Sequence, residues 1–98
     1  MIRHITIQLL LLTFLFAQNE GENLYASCKF CHGFKAEKMF ENRVPALKEL
    51  PYEVLVLKLK LYKEGKIDEY GYGFIMQQQM KNIPNDKIPL LSQYIKSL

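Results

Sequence analysis

The feature that most constrains this chain is a run of five residues, Cys28-Lys29-Phe30-Cys31-His32. Two thiols three positions apart can each add to one vinyl group of a porphyrin, and the gap suits the two vinyls when the segment forms one helical turn. The histidine that follows is then carried under the ring, where a neutral imidazole can reach the iron. The pattern is typical of covalent haem attachment. Cys28 and Cys31 are therefore the predicted thioether residues and His32 the predicted proximal iron ligand.

Three other uses of the cysteine pair are weighed against this one. A thioredoxin-like redox pair needs a strand–helix–strand context, and the chain has no such alternation. A structural zinc site needs four nitrogen or sulfur ligands, and only His4 is available beside the five-residue motif. A disulfide between Cys28 and Cys31 would close a very small loop with little entropic benefit. Haem attachment is the reading that the surrounding sequence supports best.

The first seventeen residues have the pattern of a secretory signal. Arg3 gives a positive start, an apolar run follows at 5–16, and Ala17 is a plausible residue before cleavage. The apolar run is shorter than the ~20 residues that a membrane-spanning helix needs. We therefore expect a signal peptide at 1–17, one domain at 18–98 and a periplasmic location. Leu15 stands where a small residue is preferred, so an uncleaved segment that anchors the protein to the membrane is the alternative.

The rest of the chain predicts three main helices. The first runs from about Glu20 into the cysteine motif. The second covers 51–63 and ends before Gly65; part of it alternates like a strand, but its length and end signals favour a helix. The third follows Pro84, with Asn85 as its N-cap. The stretches between them, 34–50 and 67–81, are predicted to be loops.

Charge excludes one class of partner. The formal charge of the chain is +3 when histidine is counted as neutral. It falls to +2 without residues 1–17, because Arg3 is the only charged residue among them. This charge is too weak to indicate nucleic-acid binding. A domain of about 80 residues is also marginal as a self-sufficient core, and a haem would supply a large apolar body at its centre.

The sequence resembles the class I c-type cytochromes, and in particular the small soluble bacterial periplasmic cytochromes of the c553 group. The stretch 21–33 resembles the N-terminal helix and attachment site of that family. The stretch 44–47 resembles its proline loop, 51–65 its middle helix, and Met76 to Ile95 its methionine loop and C-terminal helix. The resemblance implies an all-α fold of about three main helices and loops around one covalently bound haem c. It also implies that the terminal helices cross at Gly21 and Tyr94.

The resemblance further implies a methionine as the second iron ligand, a pair with histidine that raises the iron's potential. Met1 is removed with the signal, and Met39 lies too close to His32 along the chain, which leaves Met76 and Met80. In the resembling proteins the ligand stands about seven residues before the apolar residue that opens the last helix. That spacing selects Met76, with Met80 as second choice.

Other site roles also come from the family. His32 is expected to donate its second ring N–H to the carbonyl of Pro45, a bond that would fix the tautomer. Eight residues are candidates for the wall of the haem pocket: Tyr25, Phe30, Leu47, Tyr52, Leu55, Leu59, Phe74 and Ile75.

The function expected from the resemblance is electron transfer by a monomeric carrier, not enzymatic catalysis. The partners that it implies are a quinol-oxidising complex and a terminal oxidase or cytochrome c peroxidase. Four lysines could steer docking onto acidic partners: Lys29, Lys35, Lys38 and Lys81. The alternatives are a haem protein with an open sixth site that binds small ligands or acts like a peroxidase, and a haem-free thiol–disulfide protein. The peroxidase-like reading lacks an acid–base group, since Arg43 is the only arginine after the signal.

Overall fold

The computed structural model describes the backbone of residues 2–98 and the side chains of residues 9–98. Met1 and the Arg3 side chain, on which two of the sequence predictions depend, lie outside that range. The described residues form five α-helices and no β-strand: α1 Ile2–Tyr25, α2 Lys29–His32, α3 Tyr52–Lys63, α4 Gly73–Met80 and α5 Ile88–Ser97. Short 3-10 turns occur at Leu47–Glu49 and Asn85–Lys87. The predicted all-α class is confirmed.

The two terminal helices cross where the sequence predicts. A Cβ atom added to Gly21 of α1 would lie 2.6 Å from the Cβ of Tyr94 of α5. Beside this crossing the rings of Tyr25 and Tyr94 lie 6.0 Å apart, and Glu20 pairs with Lys87 at 2.7 Å. The glycine therefore permits a backbone approach that any larger residue would prevent.

The first helix differs from the prediction at both ends. It begins at Ile2 and not near Glu20, because the segment joining the apolar run to Gly21 contains no proline or glycine that would interrupt it. It ends at Tyr25, and a turn follows in which the Cys28 N–H donates to the Tyr25 carbonyl at 2.9 Å. Cys28 therefore precedes the separate helix α2, which carries the rest of the motif. No helix among residues 2–98 combines the length and the apolar character needed to cross a membrane.

The segment 67–81, predicted as a loop, contains helix α4. The Asp68 carboxylate accepts the N–H of Gly73 at 2.7 Å and so satisfies one of the free donors at the start of this helix. Sequence analysis missed the helix because glutamines 77–79 interrupt any apolar periodicity. Gly71 adopts a φ of 85° just before the helix, a backbone conformation that glycine takes without steric strain.

The last helix starts later than predicted. Asn85 begins a 3-10 turn, its side chain caps nothing, and α5 starts at Ile88. Pro89 lies in the first turn of α5, where its missing N–H costs nothing. One side of this helix faces the core, where Ile88, Leu91 and Ile95 are all buried.

The second helix follows the sequence prediction closely. α3 begins one residue after Pro51, carries Leu55 and Leu59 on its buried side, and is followed by Gly65 at a φ of 71°. The Lys63 ammonium donates to the carbonyl of Ile83, which ties the end of α3 to the segment before α5. α3 packs against both α4 and α5.

Candidate functional site: an apolar cavity beside the cysteine motif

A cavity of about 300 Å³ opens beside the motif. Cys28, Cys31 and His32 contribute to one part of its wall, and Met76 and Met80 contribute from α4. These residues are up to 52 positions apart in sequence, between Cys28 and Met80, so the fold brings all five predicted site residues to one space. The remaining wall is almost entirely apolar, which suits a large flat hydrophobic ligand.

The short helix α2 presents the motif to this cavity. The N–H groups of Cys31 and His32 both donate to the carbonyl of Cys28, at 3.2 and 3.0 Å, which closes the single turn. The turn is fastened to α1 by Tyr25, whose buried hydroxyl donates to the Gly33 carbonyl at 2.7 Å. The predicted helical turn of the motif is therefore present.

The two cysteines are free thiols in different surroundings. Cys28 is partly buried, and burial raises the pKa of its thiol, an effect that the Ser27 hydroxyl partly offsets by hydrogen bonding. Cys31 is exposed at the edge of the cavity. Both sulfurs are thus available for covalent attachment, and the disulfide alternative is not formed.

His32 is 6% exposed. Burial lowers the pKa of its imidazole, so the neutral ring that can bind a metal is favoured. Its Nδ1 atom is buried without a hydrogen-bond partner. The bond predicted from His32 to the Pro45 carbonyl is therefore absent, although Pro45 does line the same cavity. An unpaired buried nitrogen costs about 1–3 kcal/mol of stability. A metal or a hydrogen-bonding group that binds this nitrogen would remove that cost.

The two methionines on α4 differ in burial. Met80 is 1% exposed and belongs to the hydrophobic core, whereas Met76 is only partly buried and packs against that core from the cavity side. They stand four positions apart on one helix and so share a face. Met76 and Met80 are the two methionines that the sequence predicts as candidate ligands.

Five of the eight predicted pocket residues line the cavity: Phe30, Leu47, Leu55, Leu59 and Ile75. Three do not. Tyr25 is buried beside Tyr94 of α5. Tyr52 and Phe74 are exposed, Phe74 with 73% of its surface. Sequence analysis missed several other lining residues: Phe40, Lys58, Tyr62, Tyr70, Tyr72 and Gln79.

Phe40 and Tyr72 are a pair that only the tertiary fold could reveal. Their rings meet edge to face at 4.9 Å, and Phe40 also lies 6.5 Å from the His32 ring. Phe40 comes from the long loop after the motif and Tyr72 from the turn before α4. The aromatic residues of both segments were the one sequence signal for a place in the cavity wall. Neither segment has a periodicity from which the direction of a side chain could be predicted.

Two of the alternatives to haem attachment, a zinc site and a thioredoxin-like redox pair, depend on the residues around the thiols. Among residues that the structure describes, no three His, Cys, Asp or Glu side chains converge as a metal-binding group. The same part of the chain contains an isolated bridge between Phe40 and Val44 but no strand next to the motif. A zinc cluster and a thioredoxin-like arrangement therefore lack their structural context here.

Comparison with known proteins agrees with this geometry. The family model described as cytochrome c matches residues 18–98. The chain belongs to the cytochrome c family. Members of this family carry a covalently attached haem c with its iron, and the apolar cavity, the two free thiols and the buried imidazole fit that group. The match does not distinguish the c553 group within the family. No curated protein matches this cytochrome c.

Proposed function

We propose that this cytochrome c is a periplasmic electron carrier with a haem iron ligated by His32 and Met76. The observation that carries the proposal is the single apolar cavity to which both thiols, the buried histidine and both α4 methionines contribute. Bound haem c supplies one electron-carrying iron that alternates between the ferric and ferrous states. The polypeptide holds that group, fixes both axial positions and excludes water.

The thiols and the histidine act as one unit in this proposal. Cys28 and Cys31 would bind the porphyrin through its two vinyl groups. Helix α2 places the imidazole of His32 directly after the second attachment residue. Burial keeps this imidazole neutral and so ready to bind iron. The ring of His32 is oriented only by the residues packed around it, because its Nδ1 atom has no hydrogen-bond partner.

Met76 is the proposed distal ligand because of its position relative to the core. Met80 is already enclosed by the buried residues of the core, so its thioether has a packing role. Met76 lies one helical turn earlier, also lines the cavity, and is only partly buried there. The family spacing selects the same residue. A neutral thioether at this site favours the ferrous state and a high potential.

Electron transfer is favoured over peroxidase-like catalysis by the composition of the cavity wall. Of the cavity-lining residues described, His32 is the sole histidine and none is an arginine. An open-site haem enzyme needs such a group for proton transfer beside the iron. If His32 and Met76 both bound the iron, no coordination site would be left for a substrate.

Export and processing complete the proposal. Residues 9–16 are exposed on every side of α1 and contribute nothing to the core, which suits a segment that serves targeting and not folding. We propose cleavage after Ala17, a monomeric domain at 18–98, and a periplasmic site of action. The proposed partners are a quinol-oxidising complex as donor and a terminal oxidase or cytochrome c peroxidase as acceptor.

One preparation tests these points together. The full chain is expressed in bacteria that are competent for cytochrome maturation, and the periplasmic fraction is collected. We expect a red protein with a low-spin reduced spectrum and a pyridine haemochrome typical of two thioethers. Its mass should match a haem-bearing chain whose first residue is Gln18. A colourless folded product would refute haem attachment. An intact N-terminus in the membrane fraction would refute cleavage but leave the haem assignment standing.

A further inference from the structure

Of the described residues that line the cavity, only Lys58 carries a full charge. It lies on α3 between Leu55 and Leu59, two residues whose side chains are buried. About a quarter of the Lys58 side chain is exposed. An ammonium group beside an otherwise apolar cavity is costly unless it has anionic or hydrogen-bonding partners.

Lys58 has one such partner and two aromatic neighbours. Its ammonium lies 3.2 Å from a carboxylate oxygen of Glu69 and 5.8 Å from the centre of the Tyr70 ring. Tyr62, one turn further along α3, belongs to the same group. Burial, and then the nearby charges of Glu69, Tyr70 and Asp68, raise the pKa of Tyr62. We call Lys58, Tyr62, Glu69 and Tyr70 the Lys58 cluster.

The Lys58 cluster adds polar groups to the wall of the cavity. Lys58, Tyr62 and Tyr70 all line the cavity, whereas Glu69 stays outside it with 44% of its side chain exposed. The cation and the phenols come from α3 and the turn before α4, and the thiols come from α2 and the residue before it. A ligand that fills the cavity therefore meets thiols from one set of elements and a cation with two phenols from another.

We propose that the Lys58 cluster is a carboxylate-binding site, and that Lys58 pairs there with a propionate of the haem. This inference rests on the proposed function, because it requires haem c in this cavity. Haem has two carboxylates on the side of the ring away from its vinyl groups, so a group fastened through its vinyls to Cys28 and Cys31 presents its acids elsewhere. Lys58 lines the cavity, whereas its ion-pair partner Glu69 does not, and no Asp or Glu stands among the described lining residues that could occupy the place of a ligand carboxylate.

The inference has an electrostatic consequence. Reduction removes one positive charge from the iron, so a nearby cation favours the ferrous state. Lys58 therefore raises the midpoint potential and Glu69 opposes it. The effect of Lys58 is weakly screened, because the cavity is mostly apolar and only part of the Lys58 side chain reaches solvent, whereas the more exposed Glu69 is screened more strongly.

Midpoint potentials of the purified haem protein test the proposal. Lys58→Met is compared with Lys60→Met, which removes the same charge from an exposed position on the same helix. We expect Lys58→Met to lower the midpoint clearly more than Lys60→Met does, Glu69→Gln to raise it, and Lys58→Arg to restore it. Proton resonances of the haem propionates should shift in Lys58→Met and stay in place in Lys60→Met.

The outcomes separate this inference from the proposed function. A wild-type protein without haem would refute the proposed function itself. A haem protein in which Lys58→Met and Lys60→Met have equal midpoints, or equal propionate resonances, would show that Lys58 forms only a surface ion pair and would overturn the inference. If Lys58→Met does not accumulate, Lys58→Gln is compared with Lys60→Gln in its place, and equal midpoints in that pair also overturn the inference.

Discussion

Gly21 and Tyr94 approach so closely that a Cβ atom on the glycine would stand 2.6 Å from the Cβ of Tyr94 and 2.7 Å from its ring. Real Cβ atoms do not come this near to other atoms, so either helix would have to move to admit a methyl group. The crossing also holds the Tyr25–Tyr94 ring pair and the Glu20–Lys87 ion pair. Gly21 is thus the position at which α1 and α5 are fitted together.

Gly21→Ala is expected to destabilise the protein although alanine is the better helix former. The propensity gain is about 1 kcal/mol, whereas overpacking costs about 1–3 kcal/mol, and here the nearest obstacle is a Cβ that cannot rotate away. Guanidinium unfolding of the haem protein measures the difference. Asn23→Ala, at an exposed position on the same helix, is the control and should not lower stability. A Gly21→Ala protein as stable as that control would show that the crossing is loose.

Tyr25 is expected to make stability fall at alkaline pH. Burial raises the pKa of its phenol in the folded protein well above the ordinary value of about 10. Because the folded state holds this proton more tightly than the unfolded state, the contribution is fully present below about pH 10 and is lost as the pH rises above it. The wild-type free energy of unfolding should therefore decline from about pH 10 upward.

Tyr25→Phe separates this effect from other alkaline changes. The variant loses the hydrogen bond to the Gly33 carbonyl, so at pH 7 we expect a loss of about 1 kcal/mol. Its stability should then decline less steeply than that of the wild type above pH 10. Tyr52→Phe, at an exposed position, should keep the wild-type slope. Parallel curves for wild type and Tyr25→Phe would contradict the assignment.

The structural elements that were predicted correctly from the residue pattern are those that depend on residues close together in sequence. The motif turn, α3 and the buried stripe of α5 follow from periodicity and end signals, and the Gly21–Tyr94 crossing follows from the family resemblance. α4 could not be predicted in the same way, since its start depends on the Asp68 carboxylate five residues earlier. The same limit applies to Asn85, whose capping role is made unnecessary by the 3-10 turn before Ile88.

Pocket residues were predictable only in part, for a related reason. Leu55 and Leu59 were identified because α3 is regular and presents one face to the cavity. Tyr72 and Phe40 belong to irregular segments, where side-chain direction depends on contacts between distant parts of the chain. Lys58 was missed because a lysine between leucines on a helix normally indicates the solvent face.

Met76→Leu is expected to abolish the near-infrared charge-transfer band between methionine sulfur and ferric iron and to lower the midpoint potential, because the variant has no thioether at that position. Met80→Leu is the matched control on the same face of α4. It should keep the band and lose less than about 1.5 kcal/mol of stability, since leucine nearly conserves the volume of this buried core residue. Loss of the band in Met80→Leu and its persistence in Met76→Leu would reverse the ligand assignment.

The surface next to the cavity predicts how charge affects reaction rates. Phe30 lines the cavity yet exposes 78% of its surface, and the Lys29 ammonium lies 6.0 Å from its ring. Lys35 and Lys38 follow in the exposed loop after His32. The lysines are expected to attract anionic reactants to the edge of the cavity, and this attraction should weaken as salt is added.

Reduced protein and ferricyanide, a small anionic oxidant, provide the measurement. The double variant Lys35→Glu/Lys38→Glu should react more slowly at low ionic strength and lose the decrease in rate with salt that the wild type shows. Lys60→Glu makes one charge reversal at an exposed position on α3, and Lys60→Glu/Lys66→Glu matches the total charge change. If the matched control slows the reaction equally, net charge and not the lysines beside the motif governs the encounter. A rate that differs between the two double variants at low salt and converges at high salt would support local steering.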